Sequence, residues 1–279
     1  TVDASTFGGA IDVTNVTASG SYVVSVGTNG DHSAGHVATQ GAFTVDAAAS
    51  QSGAVTITGV TAGGNLTISM GAGTGALSLV SGLTAGNFTV DASTFGGAIS
   101  VTNVTASGAG TVSIGTAGDF SAGNIATQGA FTLDGGAAST GSVTLTGVTA
   151  GGNLTISMGT GTGSITLTSG NTAGSFTLDA SNFGGAIDIS NVTASGAVVV
   201  STGTSGDFSA NQIHTTGAVT VDGAAASTGT VSLTTITASG AVTLSMGSGS
   251  GSLSVATNID TEKGFILDAA KFGGTIDIA

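Results

Sequence analysis

One eleven-residue segment recurs along the chain, and its spacing constrains the fold more than any other feature. TVDASTFGGAI begins at Thr1 and again at Thr89, TLDASNFGGAI begins at Thr177, and ILDAAKFGGTI begins at Ile266. The starts are 88, 88 and 89 residues apart, so the third copy carries one extra residue. We therefore divide the 279 residues into one continuous array with repeats at 1–88, 89–176 and 177–265 and a partial repeat at 266–279. Such a period indicates stacked units that bury their apolar faces against one another.

Each repeat divides further into segments of eleven or twelve residues. Strand-like cores begin near Phe43, Val55, Leu66, Leu77, Phe88 and Ile99. Each segment begins with alternating apolar and polar residues and ends with glycine-rich residues, as strands followed by turns do. The alternation predicts that Phe88 and Val90 lie on one face of a strand and that Thr89 and Asp91 lie on the other.

The segments predict an all-β fold, a parallel β-helix with about 22 residues per coil. A coil of a single segment would enclose almost no interior, and the absence of cysteine excludes disulfides that could compensate. Twelve to thirteen coils at ~4.8 Å each would make a rod roughly 60 Å long. Glycine is expected at the corners, where φ is positive or backbones approach closely. The alternative architecture is a series of tandem β-sandwich domains, each about 88 residues long.

Composition excludes several classes of partner. The chain has 15 acidic residues, two lysines and no arginine, for a net charge of -13. Nucleic-acid binding needs clustered lysine and arginine, so we expect no nucleic-acid partner. Apolar runs last only a few residues, whereas a membrane-spanning helix needs about 20, so we expect no membrane insertion. Because the chain begins and ends inside a repeat, we expect it to belong to something longer.

Two stretches resemble repeats of known bacterial surface proteins. GAFTVDAAASQSGAVTITGVTAGGNLTISMG, from Gly41, is similar to the repeats of filamentous-haemagglutinin-type adhesins. LDASNFGGAIDISNVTASGA, from Leu178, resembles repeats in type-I-secreted S-layer and giant surface proteins. The resemblance implies export to the extracellular space or bacterial cell surface, a β-helical or β-roll fold, and a structural or adhesive role. In the S-layer relatives it further implies calcium-dependent assembly.

Aspartates are the most informative polar residues. Asp31, Asp119 and Asp207 lie in the related loops GTNGDHSAG, GTAGDFSAG and GTSGDFSAN, once in each repeat. Calcium favours carboxylate and carbonyl oxygens, so these three residues are the candidate calcium ligands. The loops resemble half of the nonapeptide of calcium-binding β-rolls, without its leading glycine pair. The competing interpretation is an aspartate that accepts a hydrogen bond from its own loop backbone.

A second set of aspartates ends strands of the FTVD type. Its members, expected to act as solubilising charge, are Asp3, Asp46, Asp91, Asp134, Asp179, Asp222 and Asp268. Outward pairs such as Thr56/Thr58 and Thr67/Ser69 raise a minor alternative, an ice-binding solenoid face. Asp46 and Asp91 would interrupt that array, and threonine is common in strands in any case.

We expect this chain not to be an enzyme. Its histidines are not locked to the repeat, since the position of His32 holds Phe120 and Phe208 in the later repeats. No catalytic residues and no cofactor other than calcium are therefore expected. The sequence favours a structural protein that assembles with copies of itself into a filament, sheath or S-layer. The alternative is an adhesin stalk that reaches a host or carbohydrate ligand through a tip outside this chain.

Overall fold

The computed structural model describes residues 1–47, 52–115, 117–136, 140–203, 205–223, 228–256 and 258–279. These residues contain strands and turns and no helix. Every strand pairing among them is parallel. The chain is therefore a parallel β-helix, a β-solenoid, as the spacing predicts, and the tandem β-sandwich alternative does not apply.

The strands, in chain order, are β1 (Val2–Ala4), β2 (Ile11–Thr14), β3 (Thr17–Ala18), β4 (Tyr22–Val26), β5 (His32–Thr39), β6 (Phe43–Ala47), β7 (Val55–Ala62), β8 (Leu66–Met70), β9 (Leu77–Val80), β10 (Leu83–Ala85), β11 (Phe88–Ala92), β12 (Ile99–Ala106), β13 (Gly110–Ile114), β14 (Phe120–Thr127), β15 (Phe131–Gly135), β16 (Val143–Ala150), β17 (Leu154–Met158), β18 (Ser164–Thr168), β19 (Asn171–Ala173), β20 (Phe176–Asp179), β21 (Ala186–Ala194), β22 (Val198–Ser201), β23 (Phe208–Thr215), β24 (Val219–Gly223), β25 (Thr230–Leu233), β26 (Ile236–Ala238), β27 (Val242–Met246), β28 (Ser252–Val255), β29 (Ile259–Thr261), β30 (Phe265–Asp268) and β31 (Thr275–Ile278).

Two sheets run the length of the stack. Sheet A has thirteen described strands, in the order β1, β4, β6, β8, β11, β13, β15, β17, β20, β22, β24, β27 and β30. The other eighteen described strands form sheet B. We number the coils 1 to 13 by the strand of sheet A that begins each one. At ~4.8 Å per coil the stack is about 58 Å long, close to the predicted length.

The 88-residue period is four coils of slightly unequal length. Partners in sheet A are Val2 with Val24, Tyr22 with Phe43, Phe43 with Leu66, and Leu66 with Phe88, which are steps of 22, 21, 23 and 22 residues. The extra residue of the third repeat lies in its last coil, where Val242 pairs with Phe265, a step of 23. The coil therefore absorbs the insertion in its turns and keeps the strands in register.

Most coils have a sharp bend inside sheet B, made by one residue or by two consecutive residues with positive φ. In β12 this residue is Asn103, with a φ of 56°, and in β14 it is Asn124, with a φ of 53°. The same conformation is taken by Asn15, His36, Ser81, Ser169, Asn191 and Gln212, and by Gly59, Gly82, Gly147 and Gly170. Asparagine tolerates this backbone region better than most residues, because its short polar side chain can hydrogen-bond locally. The bend is thus made mainly by polar side chains, and the expected glycine lies at four of its positions.

Another set of glycines lies at the turn that leads from sheet A into sheet B. One glycine of each coil stacks on the glycine of the coil before it, and a Cβ on any of the upper twelve would lie within 3.0 Å of the carbonyl oxygen beneath. The members of this glycine column are Gly9, Gly30, Gly53, Gly75, Gly97, Gly118, Gly141, Gly163, Gly185, Gly206, Gly229, Gly251 and Gly274. The column fits the expected close backbone approach, and no other residue type satisfies it.

The core lies between the two sheets and is almost entirely apolar. In sheet A the buried column alternates large and smaller residues, for example Phe43, Leu66, Phe88 and Gly110. A Cβ on Gly110 would meet the Phe131 ring at 2.7 Å, so the phenylalanine fills the space that the glycine leaves. Phenylalanines therefore recur in alternate coils through this part of the column instead of stacking on one another, which keeps the interior filled without overpacking.

Candidate functional site

The outward face of sheet A carries two ordered columns of side chains. In the first, carboxylates and hydroxyls alternate without exception along the thirteen strands: Asp3, Ser25, Asp46, Ser69, Asp91, Ser113, Asp134, Ser157, Asp179, Ser201, Asp222, Ser245 and Asp268. We call this column the Asp/Ser ladder. Its carboxylates are exposed and recur every second coil, about 9.6 Å apart. The face is thus negatively charged at a regular interval.

Beside the Asp/Ser ladder runs a column of threonines. From coil 3 to coil 9 it is unbroken, and its members are Thr44, Thr67, Thr89, Thr111, Thr132, Thr155 and Thr177. Val199 then interrupts it. These threonines are partly exposed. In β11 the predicted alternation is confirmed, because Phe88 and Val90 are buried and Thr89 points outward.

Aspartates of the Asp/Ser ladder also shape the turn that follows them. Asp3 Oδ1 accepts hydrogen bonds from the backbone N–H of Ser5 at 3.1 Å and from its hydroxyl at 2.7 Å. These bonds hold the pKa of the Asp3 carboxyl below its usual value. Asp91 and Asp179 repeat the arrangement with Ser93 and Ser181. At these positions the carboxylate therefore caps its own turn, in addition to providing charge.

Asp31, Asp119 and Asp207 lie exposed at the turn before sheet B, just after the glycine column. Each carboxylate accepts a hydrogen bond from a backbone N–H of the next coil: Asp31 from Ala54 at 2.9 Å, Asp119 from Ser142 at 2.8 Å, and Asp207 from Thr230 at 2.7 Å. The bonds tie successive coils together and differ from the expected bond within one loop. The three residues are four coils apart, roughly 19 Å, so they cannot share one ion.

Calcium binding by these three aspartates stays a prediction. Within the described residues, no group of three or more histidine, cysteine, aspartate or glutamate side chains is arranged to hold a metal ion. A calcium ion at Asp31, Asp119 or Asp207 would have to draw its remaining oxygens from backbone carbonyls, hydroxyls and water. One oxygen of each carboxylate is already engaged with the next coil.

The outward face of sheet B is different, because one of its columns has a long uncharged stretch, with the exposed Asp31 and Asp119 at the edge, two residues before Ser33 and Ser121. Seven hydroxyl residues follow one another in register: Ser33, Thr56, Ser78, Ser100, Ser121, Thr144 and Thr166. We call this column the hydroxyl ladder. Asp12 precedes it and Asp188 follows it. The column two residues further along the strands is less regular, since Thr58 has Gly35 and Val80 as its partners. This irregularity argues against the ice-binding alternative, which requires a uniform array of hydroxyl groups.

Histidines take two kinds of position. His36 and His214 are exposed, whereas His32 points into the core and is 1% exposed. Shallow open grooves lie beside Asp31 and, two repeats later, beside Asp207. The grooves are equivalent in position, and among their lining residues Asp12, Asp31, His32 and Asp207 are the only titratable side chains.

No helix among the described residues is long and apolar enough to cross a membrane. A scan of the chain against protein-family models, a search for similar characterised proteins and a search for similar solved structures give no match.

Proposed function

We propose that this chain is a rigid, acidic rod module of an extracellular bacterial surface structure that assembles from copies of itself. The observation that carries the proposal is the regularity of the outer faces over the described coils: the hydroxyl ladder of sheet B runs in register from Ser33 to Thr166, and the Asp/Ser ladder alternates through all thirteen strands of sheet A. A surface that repeats at one interval offers a second rod the same contact many times. It suits lateral or lengthwise packing better than recognition of one small ligand, which calls for a concave site.

Charge indicates which face a second copy would use. The Asp/Ser ladder places seven exposed carboxylates on sheet A, and two such faces would repel each other. The hydroxyl ladder on sheet B is free of charge from Ser33 to Thr166. We therefore propose that copies pack through sheet B and that the carboxylates keep sheet A solvated.

The test is negative-stain electron microscopy of the purified chain, with two matched variants. Ser100→Glu adds a charge to the hydroxyl ladder, on β12 of sheet B. Ser113→Glu adds a charge to the Asp/Ser ladder, on β13 of sheet A. We expect ordered filaments or sheets from the natural chain and from Ser113→Glu, and none from Ser100→Glu. Isolated rods about 60 Å long at every concentration would contradict self-assembly and favour the adhesin stalk.

Calcium enters the proposal as a second arm of the same experiment. Imaging in millimolar calcium and again after chelation asks whether the assembly depends on the ion. Filaments that form only with calcium would support Asp31, Asp119 and Asp207 as ligands. Filaments that persist after chelation would exclude calcium from assembly and leave the three carboxylates as links between coils.

A further inference from the structure

His32 occupies a position in the core that is otherwise apolar in every coil. In its column it lies between Ile11 and Val55, and the same position holds Phe120 in coil 6 and Phe208 in coil 10. The imidazole is 1% exposed, and among the described residues neither ring nitrogen has a hydrogen-bond partner. A buried polar group without a partner is rare, because it loses water without gaining another bond. Among the described residues, His32 in coil 2 is therefore a destabilising position in the core.

The surroundings of His32 favour the neutral ring. Burial lowers the pKa of His32. The Ile11 carbonyl and the Asp12 carboxylate have smaller effects that raise it, and the carbonyl makes no hydrogen bond of normal geometry with the ring. Asp12 on β2 and Asp31 before β5 are both exposed, and their carboxylates accept hydrogen bonds from the Ser33 hydroxyl and the Ala54 N–H, not from the imidazole. On the following coil β7 has no titratable residue, and across the core β4 contributes only Tyr22, whose pKa is raised by burial. No buried carboxylate among these groups is available to pair with an imidazolium.

We propose that His32 is an acid-sensitive latch: coil 2 is closed at neutral pH and opens locally when the imidazole is protonated, while coils 6 and 10, with phenylalanine at this position, stay closed. The direction follows from the two states. In an opened coil His32 titrates near the ordinary histidine pKa of about 6.5, and in the closed coil it titrates lower. The neutral ring thus favours the closed coil above that pH, and this contribution is lost as the pH falls.

Hydrogen exchange measured by mass spectrometry over a range of pH tests the latch in the intact chain. Exchange at β4 and β5 of coil 2 is compared with exchange at β13 and β14 of coil 6 and at β22 and β23 of coil 10, which corrects for the intrinsic effect of pH. Opening that takes up one proton increases up to tenfold per pH unit below the ordinary histidine pKa. Between pH 7.5 and 5.0 we expect coil 2 to open up to about 30-fold more, relative to coils 6 and 10.

Three variants separate His32 from other sources of acid sensitivity. His32→Phe restores the residue of the later repeats and should remove the excess opening of coil 2. Phe120→His should confer it on coil 6. A double variant, His36→Asn with His214→Ala, takes residues from equivalent positions of the middle repeat and should leave coil 2 acid-sensitive.

The natural chain alone already decides the proposal, so it does not depend on any variant folding. Equal pH dependence in coils 2, 6 and 10 would overturn it, as would excess opening that survives in a folded His32→Phe protein. Nuclear magnetic resonance titration of the His32 ring gives an independent reading: a ring that titrates at or above the ordinary histidine pKa would also overturn it.

Discussion

At the residue scale, the glycine column shows how one missing atom sets a whole turn. Gly97 lies directly above the Gly75 carbonyl, and a Cβ there would fall inside 3.0 Å of that oxygen. Its φ is not in the left-handed region, so conformational freedom does not explain this glycine. The lack of space for a side chain does. Asn103, by contrast, has a φ of 56° and faces open solvent, so its position demands an unusual backbone and not a small side chain.

Gly97→Ala should therefore destabilise the rod strongly, and Gly20→Ala should not. The added Cβ at Gly97 meets backbone, which cannot move aside as a flexible side chain can, so we expect a loss of about 3 kcal/mol or more. At Gly20 nothing lies within 4 Å of an added Cβ, so a change within about 0.5 kcal/mol is expected. Urea unfolding followed by circular dichroism compares them. Equal midpoints for the two variants would show that the column tolerates side chains.

At the scale of the element, strands are joined through turns as well as through sheet pairing. The Asp119 carboxylate accepts the backbone N–H of Ser142 at 2.8 Å and so links the turn before β14 to the turn before β16. Asp31 and Asp207 form the same link in the other repeats. An acceptor that satisfies a turn N–H stabilises the stack at a point where the strands themselves do not pair.

Replacing Asp119 by asparagine and by alanine distinguishes this link from a calcium site. Asparagine keeps an oxygen that can accept the Ser142 N–H, whereas alanine does not, so we expect Asp119→Asn to be tolerated and Asp119→Ala to cost about 1 kcal/mol. Thermal unfolding of each variant in calcium and in chelator provides the measurement. Calcium-dependent stabilisation of the natural chain that is lost in Asp119→Asn would instead identify the carboxylate as a ligand.

At the scale of the whole molecule, the 88-residue repeat matters because it equals four complete coils. A shift of 88 residues returns every column to itself: Asp3 to Asp91 in the Asp/Ser ladder, Gly9 to Gly97 in the glycine column. A shift of eleven residues, by contrast, would bring a strand of sheet A into the place of a strand of sheet B, although the two segments look alike in sequence.

Deletion of residues 89–176 should therefore leave a folded rod that is shorter by four coils, about 19 Å. The new junction joins Phe88 to Thr177, the same residue types that meet at Phe176 and Thr177 in the natural chain. Deletion of residues 89–99, only eleven residues, should disrupt the stack because it brings the bend at Asn103 into sheet A. Rod length in electron micrographs and the circular dichroism spectrum report both outcomes. A four-coil deletion that fails to fold would mean that the repeats are not interchangeable.

Much of this architecture is determined by the amino-acid sequence itself, since a repeat exposes its own period and alternating residues expose the faces of a strand. The coil of about 22 residues, the inward Phe88 and the outward Asp91 follow from local pattern. The partner of Asp119 does not, because it lies 23 residues away in the next coil. The isolation of His32 is likewise a product of stacking, because only the neighbouring coils remove water from its ring. Local pattern decides which face a residue occupies, and the tertiary structure decides what it meets there.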